Sequence, residues 1–164
     1  MTDGAIIVRR AVDADAAAIG ALINAAFIEY RGRLKPESGA LDESAATILP
    51  QLAAPGGAAI AWRIEGGAPV AVGAVLYRPD GDDLYFGRLS VPPARRGQGI
   101  AGALIRFVED EARRRGCAGV TLGARIALAA NQAMFAALGY AEVSREAHPG
   151  YDAPTSINRR KALL

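Results

Sequence analysis

The chain has 164 residues, 51% of them hydrophobic and 22% charged, with a net charge of +2, one cysteine and one histidine. That length suits a single domain spanning residues 1–164 whose core needs no covalent staple, and one cysteine excludes an internal disulfide. No apolar run approaches the ~20 residues of a membrane span, the first residues lack the basic-then-apolar order of a signal peptide, and the small net charge argues against a general nucleic-acid binder.

A cytoplasmic protein that binds neither membrane nor nucleic acid is therefore expected. Cys117 and His148 are each alone, so no metal-binding set is expected either. Ile6-Ile7-Val8 predicts a short first strand. A helix follows, capped by Asp13 or Asp15, with Ile19, Leu22, Ile23, Ala26 and Phe27 recurring at helical spacing. Residues 31–40 read as a loop, because Gly32, Pro36 and Gly39 interrupt any period. Leu41-Asp42-Glu43 predicts the start of a second helix, with Asp42 as its cap and Pro50 near its end. Residues 58–64 and 70–77 read as strands around a Glu65-Gly66-Gly67 turn, and Asp80-Gly81 turns the chain into a further strand over 84–91.

Residues 100–115 form the clearest helical pattern, with Ile100, Leu104, Phe107, Val108 and Ala112 on one face. Arg113, Arg114 and Arg115 complement the negative end of that helix, and Gly116 can terminate it. Residues 118–123 predict a strand, 130–138 a helix, and 140–147 and 155–161 two closing strands. The order is β-α-α-β-β-β-α-β-α-β-β. Because three strands meander over 58–91, a doubly wound alternation of strand and helix is excluded.

The most informative segment precedes the long helix. Arg96, Gly97, Gln98, Gly99, Ile100, Ala101 and Gly102 join a strand to a helix N-terminus, where glycines let a ligand approach the backbone and free N–H groups attract phosphate. Gly97 to Gly102 also spells G-x-G-x-x-G, the dinucleotide fingerprint, for which Arg125 could serve as an NADP reader. In that motif the first glycine follows the strand directly. Here Pro92-Pro93-Ala94-Arg95-Arg96 intervenes, which makes an NADP-binding domain the weaker reading.

The longer stretch from Leu89 to Ala101, L-S-V-P-P-A-R-R-G-Q-G-I-A, resembles the acetyl-CoA-binding segment of the Gcn5-related N-acetyltransferases. Arg96, Gly99 and Ala101 stand at the defining positions of its Q/R-x-x-G-x-G/A motif. A second segment, Asn131-Gln132-Ala133-Met134-Phe135-Ala136-Ala137-Leu138-Gly139-Tyr140, resembles the family's N-x-x-x-(Y/F)-x-x-L-G-(F/Y). The resemblance implies an α/β fold of α+β type, with a mixed, mostly antiparallel sheet of about seven strands flanked by four helices. It implies acetyl-CoA as acetyl donor and transfer to a primary amine by direct attack in a ternary complex. The acceptor, a small-molecule or peptide amine, is not readable, and a homodimer is compatible with the family.

By the same resemblance, Leu89, Ser90 and Val91 would meet the pantetheine, and Arg96, Gly97, Gln98, Gly99, Ile100, Ala101 and Gly102 the pyrophosphate. Asn131 reads as a contact to the cofactor arm, as a helix N-cap, or as both. Phe135 occupies the position where many family members carry a tyrosine acid, and it cannot donate a proton. Tyr151 is the expected replacement, ahead of His148, and Glu37, ahead of Glu29 and Glu43, the expected base, while Tyr30, Glu37 and His148 are expected to shape the acceptor site. Tyr151 reads more readily as a surface aromatic in a turn. Phe135 and the lack of a glutamate on the strand before the loop also keep open a CoA-binding module with impaired or regulatory chemistry.

Overall fold

The computed structural model describes residues 3–163. Seven strands, β1 (Ile6–Arg10), β2 (Gly57–Glu65), β3 (Ala68–Asp80), β4 (Asp83–Ser90), β5 (Gly119–Arg125), β6 (Ala141–Glu146) and β7 (Ser156–Ala162), form one sheet in the order β1-β2-β3-β4-β5-β7-β6. Every neighbouring pair is antiparallel except β4 and β5. Four helices flank the sheet: α1 (Ala16–Phe27), α2 (Ala45–Ile48), α3 (Ile100–Arg114) and α4 (Ala129–Ala137). No helix among the described residues is long and apolar enough to cross a membrane.

Both faces of the first half of the sheet are covered, which explains why β2 is apolar at successive positions. Ala58 and Ile60 face α1 and α2, packing with Ile19, Ile23 and Ile48, whereas Ala59 and Ala61 face α3. On that second side Ile100, Leu104, Ile105, Val108 and Ala112 of α3 are almost completely buried against β3, β4 and β5. Each large side chain buried there stabilises the fold by about 1.5–3 kcal/mol.

The second helix departs from expectation. Gly39–Asp42 is a separate 3-10 turn, capped by Ser38, whose Oγ accepts from the Ala40 amide at 3.2 Å. The helix proper begins after Ser44, not after Asp42. Ser44 and Thr47 satisfy each other's free amides, with Thr47 Oγ1 accepting from the Ser44 amide at 2.8 Å and Ser44 Oγ from the Thr47 amide at 3.4 Å. Pro50 then restricts the chain to a 3-10 turn, Leu49–Leu52.

Both long-helix ends on the α3 side close in the same way. Gly116 and Gly139 adopt φ of 73° and 94°, which a side chain disfavours. The amide of the next residue reaches back inside, Cys117 to Ala112 O at 2.9 Å and Tyr140 to Phe135 O at 3.0 Å. The second closure turns Tyr140 fully into the core, edge-on to Phe86, where its hydroxyl donates to Glu109 Oε2 at 2.7 Å. Lys161 Nζ reaches the same oxygen at 3.1 Å, so a buried carboxylate has two donors.

Removing the hydroxyl in Tyr140→Phe should cost about 1.5–3 kcal/mol of stability, read by urea unfolding, because Glu109 loses a donor inside the core. Burial, then Glu109, hold the Tyr140 phenol far above its ordinary value of 10.0. A raised folded value stabilises the fold fully below pH 10.0 and loses that contribution as the pH climbs further. The stability gap between wild type and Tyr140→Phe should therefore stay constant up to that pH and shrink above it.

Candidate active site

The site begins where β4 and β5 stop pairing. Asp83 to Phe86 lie in register with Gly119 to Leu122, yet β4 continues to Ser90 and β5 to Arg125 without further pairing between them. A bulge turns β4 away at this point. Gly87 pairs with Leu76 and Ser90 with Ala74, so Arg88 and Leu89 together oppose the single residue Val75 of β3. Arg88 carries the bend at φ 52°, an uncommon conformation for a residue with a side chain. Ser90 holds it there, its buried Oγ donating to Arg88 O at 2.8 Å.

The diverging strands enclose a cavity of about 540 Å³. Its floor comes from Gly87 and Leu89 on one strand and Gly123 and Ala124 on the other, while Val91 carries the wall on toward the loop. Ala26, Phe27 and Tyr30 close it from the end of α1, and Asn131, Met134 and Phe135 from α4. Arg96, Gly97, Gly99, Ile100, Ala101 and Gly102 form the mouth. The expected cofactor residues thus converge on one space, with two exceptions. The Ser90 side chain is buried beneath the bulge, and Gln98 turns out to the Arg63 guanidinium.

At the mouth, Gly97 and Gly99 take φ of 75° and 82°, and a Cβ on either would meet nothing within 4 Å. The space over them is open, and no side chain stands between it and the backbone. Ala103 is the first residue of α3 whose amide finds a backbone acceptor, Gly99 O at 3.1 Å; the amides of residues 97–102 have none among the described residues. These donors and the positive helix end match an anionic pyrophosphate, and the gap between β4 and β5 matches a narrow chain beyond it. The residues present therefore fit the phosphate and arm of CoA.

The arginines beside the loop are engaged elsewhere. Arg95 grips both carboxylate oxygens of Glu65 at the β2–β3 hairpin. Arg96 donates to Val91 O and Ala26 O, each at 3.2 Å, and pairs with Glu29 at 2.5 Å, tying the loop to the end of α1. Asn131 lies inside the first turn of α4, whose cap position is Leu128, so the N-cap reading of Asn131 is corrected. Its neighbour Gln132 had no role in the sequence reading. It donates to Ala124 O and Arg125 O at 3.0 Å each and accepts from Arg159 at 2.8 Å, bracing the free end of β5.

The expected acceptor-side residues are placed around Arg125, outside that cavity, except for Tyr30. Arg125 donates to Pro36 O at 2.8 Å and Glu37 O at 3.3 Å, holding the loop after α1. It is therefore no free reader of an NADP phosphate. The Glu37 carboxylate turns back to the Gly32 amide at 2.6 Å. The His148 ring contacts Thr155 Oγ1; burial, then Arg125, lower its proton affinity. Tyr151 stands in the β6–β7 loop, 39% exposed.

A residue that went unread lies closer. Tyr85 shares a strand face with Gly87, opposite to Leu84 and Phe86, which point into the α3-side core. Its hydroxyl lies 3.3 Å from where a Gly87 Cβ would stand and 3.8 Å from where a Gly123 Cβ would stand. The hydroxyl thus sits at the parting of the two strands. The visible signal was the Tyr85-x-Gly87 alternation, one large and one absent side chain on one face.

The sequence matches the acetyltransferase (GNAT) family model over residues 22–140, from within α1 to the end of the α4 closure. An acetyltransferase of Agrobacterium fabrum, Atu2258, is 58% identical over 36 residues, a match spanning 22% of this chain and only 26% of that protein. The PaiA N-acetyltransferase of Thermoplasma acidophilum, solved in complex with coenzyme A, superposes with a TM-score of 0.77 at 14% identity over 97% of this chain and 99% of that one. A GNAT-family acetyltransferase of Staphylococcus aureus Mu50 does so with a TM-score of 0.75 at 15% identity, over 98% and 100%. The structural likenesses show the fold, and the family match supplies the rest: the chain belongs to the GNAT acetyltransferases, acyltransferases whose acetyl donor is acetyl-CoA.

Proposed function

We propose that the protein is an acetyl-CoA-dependent N-acetyltransferase that joins donor and primary-amine acceptor in a ternary complex. The observation that carries this reading is the β4–β5 gap opening onto the unpaired amides of residues 97–102. When bound, the donor supplies an acetyl thioester, a carbonyl carbon open to attack by an amine. The amides of Gly97 to Gly102 hold the pyrophosphate, and backbone groups of Leu89 and Val91 hold the pantetheine arm between the strands. Asn131 reaches the arm from α4, and Phe135 forms an apolar wall. Ser90 and Gln98 act at one remove, Ser90 by fixing the bulge and Gln98 by anchoring the loop to Arg63.

The amine nitrogen forms a bond to the acetyl carbon as the carbon–sulfur bond breaks, and one amine proton leaves with the sulfur as a thiol. An amine that arrives as ammonium must first lose a further proton to a base or water. Phe135 handles neither proton. We assign the thiol's proton to Tyr85, whose hydroxyl stands at the strand parting: it gives its proton to the sulfur and takes the amine's in exchange, while the extra proton of an arriving ammonium leaves to water. Glu37 and Tyr151 lie beyond Arg125, and we assign them to the acceptor-side loops rather than to proton transfer. A second reading, a CoA-binding module without turnover, draws on Phe135 and on the lack of any aspartate or glutamate lining the cavity.

Gly99→Asp should weaken acetyl-CoA binding at least about tenfold in calorimetry, since a carboxylate would face the phosphates. The far-UV circular dichroism should stay native: the new side chain has open space, and the strain of a side chain at φ 82° costs only about 1–2 kcal/mol. Unchanged affinity would place the phosphates elsewhere. In a thiol-release assay across amine classes, Tyr85→Phe should lower kcat by about 100-fold with little change in the KM for acetyl-CoA. Tyr151→Phe should stay within about twofold of wild type by the same measure. Tight acetyl-CoA binding with no thiol released by any amine would favour the module.

A further inference from the structure

A second cavity, of about 490 Å³, lies on the α1 side of the sheet between the Leu49–Leu52 turn and strands β3 and β4. Gly87 and Arg88 line it and the donor cavity alike, so the two spaces adjoin at the bulge, where the Tyr85 side chain lies over Gly87. Tyr85 lies along its wall. A volume of this order suits a small molecule.

Its charge is one-sided. No aspartate or glutamate lines either cavity, and the ionic side chains lining the second are Arg78 and Arg88. Arg88 is offset by Glu43, whose Oε2 lies 3.3 Å from its Nε. Arg78 has no carboxylate partner among the described residues; its guanidinium lies over the Tyr85 ring at 4.3 Å. Stacking of this kind fixes the plane of the group and leaves its N–H edge free for an anion. Arg125 adds a third cation nearby, destabilised as a charge by burial and then by Arg88. With Arg88 offset by Glu43 and Arg125 facing Glu37, Arg78 is left as the cation that a purely cationic amine would meet unbalanced.

From the shared Gly87 edge and the stacked Arg78 we propose that the second cavity is the acceptor site and takes small amines that also bear a carboxylate or phosphate. The anion lies on Arg78, and the amine points past the Tyr85 hydroxyl toward the strand gap. This rests on the acetyl-transfer reading above and specifies its acceptor class.

The test is thiol release by the full chain with acetyl-CoA and four sets of amines: glycine and acidic amino acids for the carboxylate arm, phosphoethanolamine for the phosphate arm, ethanolamine as a neutral-tailed amine, and ethylenediamine as a cationic one. One anionic arm should exceed both controls in kcat/KM by about tenfold or more, as expected for a charge-assisted contact. The leading arm identifies the anion. Arg78→Gln should raise the KM for that amine about tenfold without moving the KM for acetyl-CoA, and Arg78→Lys should recover part of the loss. A preference for ethanolamine or ethylenediamine overturns the proposal, as does acetyl-CoA binding with no turnover of any anionic amine. Failure to bind acetyl-CoA would instead bring down the acetyl-transfer reading on which it stands.

Discussion

The parting of β4 from β5 is the constraint on which the rest of the site depends. A parallel pair inside a sheet normally continues until one strand ends, because each unpaired backbone group forgoes a hydrogen bond. Here pairing stops at Phe86 and Leu122 while both strands run on. Three local devices hold the separation open. The Arg88 bulge bends β4, the buried Ser90 hydroxyl ties that bend to Arg88 O, and Gln132 takes up the carbonyls of Ala124 and Arg125 on the other side. What is left between them is a slot with backbone donors and acceptors on its walls.

The same pair positions the anion site. Strands β4 and β5 are parallel, so the chain must cross over between them, and α3 is that crossover. Its N-terminus consequently lies at the open end of the slot. The apolar face of α3, from Ile100 to Ala112, fixes it there by burial against the sheet. In the proposed reading, phosphate recognition falls to the backbone rather than to formal charge, since Arg95 and Arg96 spend their guanidinium groups on Glu65, Glu29 and the end of α1. An amide cradle of this kind needs no side-chain reorganisation when an anion arrives, and the arginines keep the loop in the shape that presents it.

Legibility followed the range of the interactions. The glycine loop and the Leu138-Gly139-Tyr140 closure were readable because their chemistry lies within a few residues: a left-handed glycine, a reach-back amide, an apolar residue turned inward. The order of elements was readable for a similar reason, since both the β2–β3–β4 meander and the amphipathic α3 have strong periods. The second helix was misread because Asp42 and Ser44 are both acceptable caps, and only the reciprocal Ser44–Thr47 pairing favours the later start. Asn131 as a cap failed likewise, α4 having begun earlier at Ala129. Tyr85 escaped notice because nothing in its own segment ties it to Gly123, which lies on another strand.

By itself the amino-acid sequence determined the donor half of this protein. Phosphate binding at a glycine-rich helix start is a property of contiguous backbone, so the residues to which we assign it are neighbours in the chain. The acceptor half was decided by the tertiary structure. Which side chains reach the slot depends on where β4 bulges, which face each strand turns inward and which loop carbonyls Arg125 captures. Those are contacts between segments far apart in sequence, and they drew Glu37, His148 and Tyr151 to the periphery while bringing Tyr85 and Arg78 together beside Gly87.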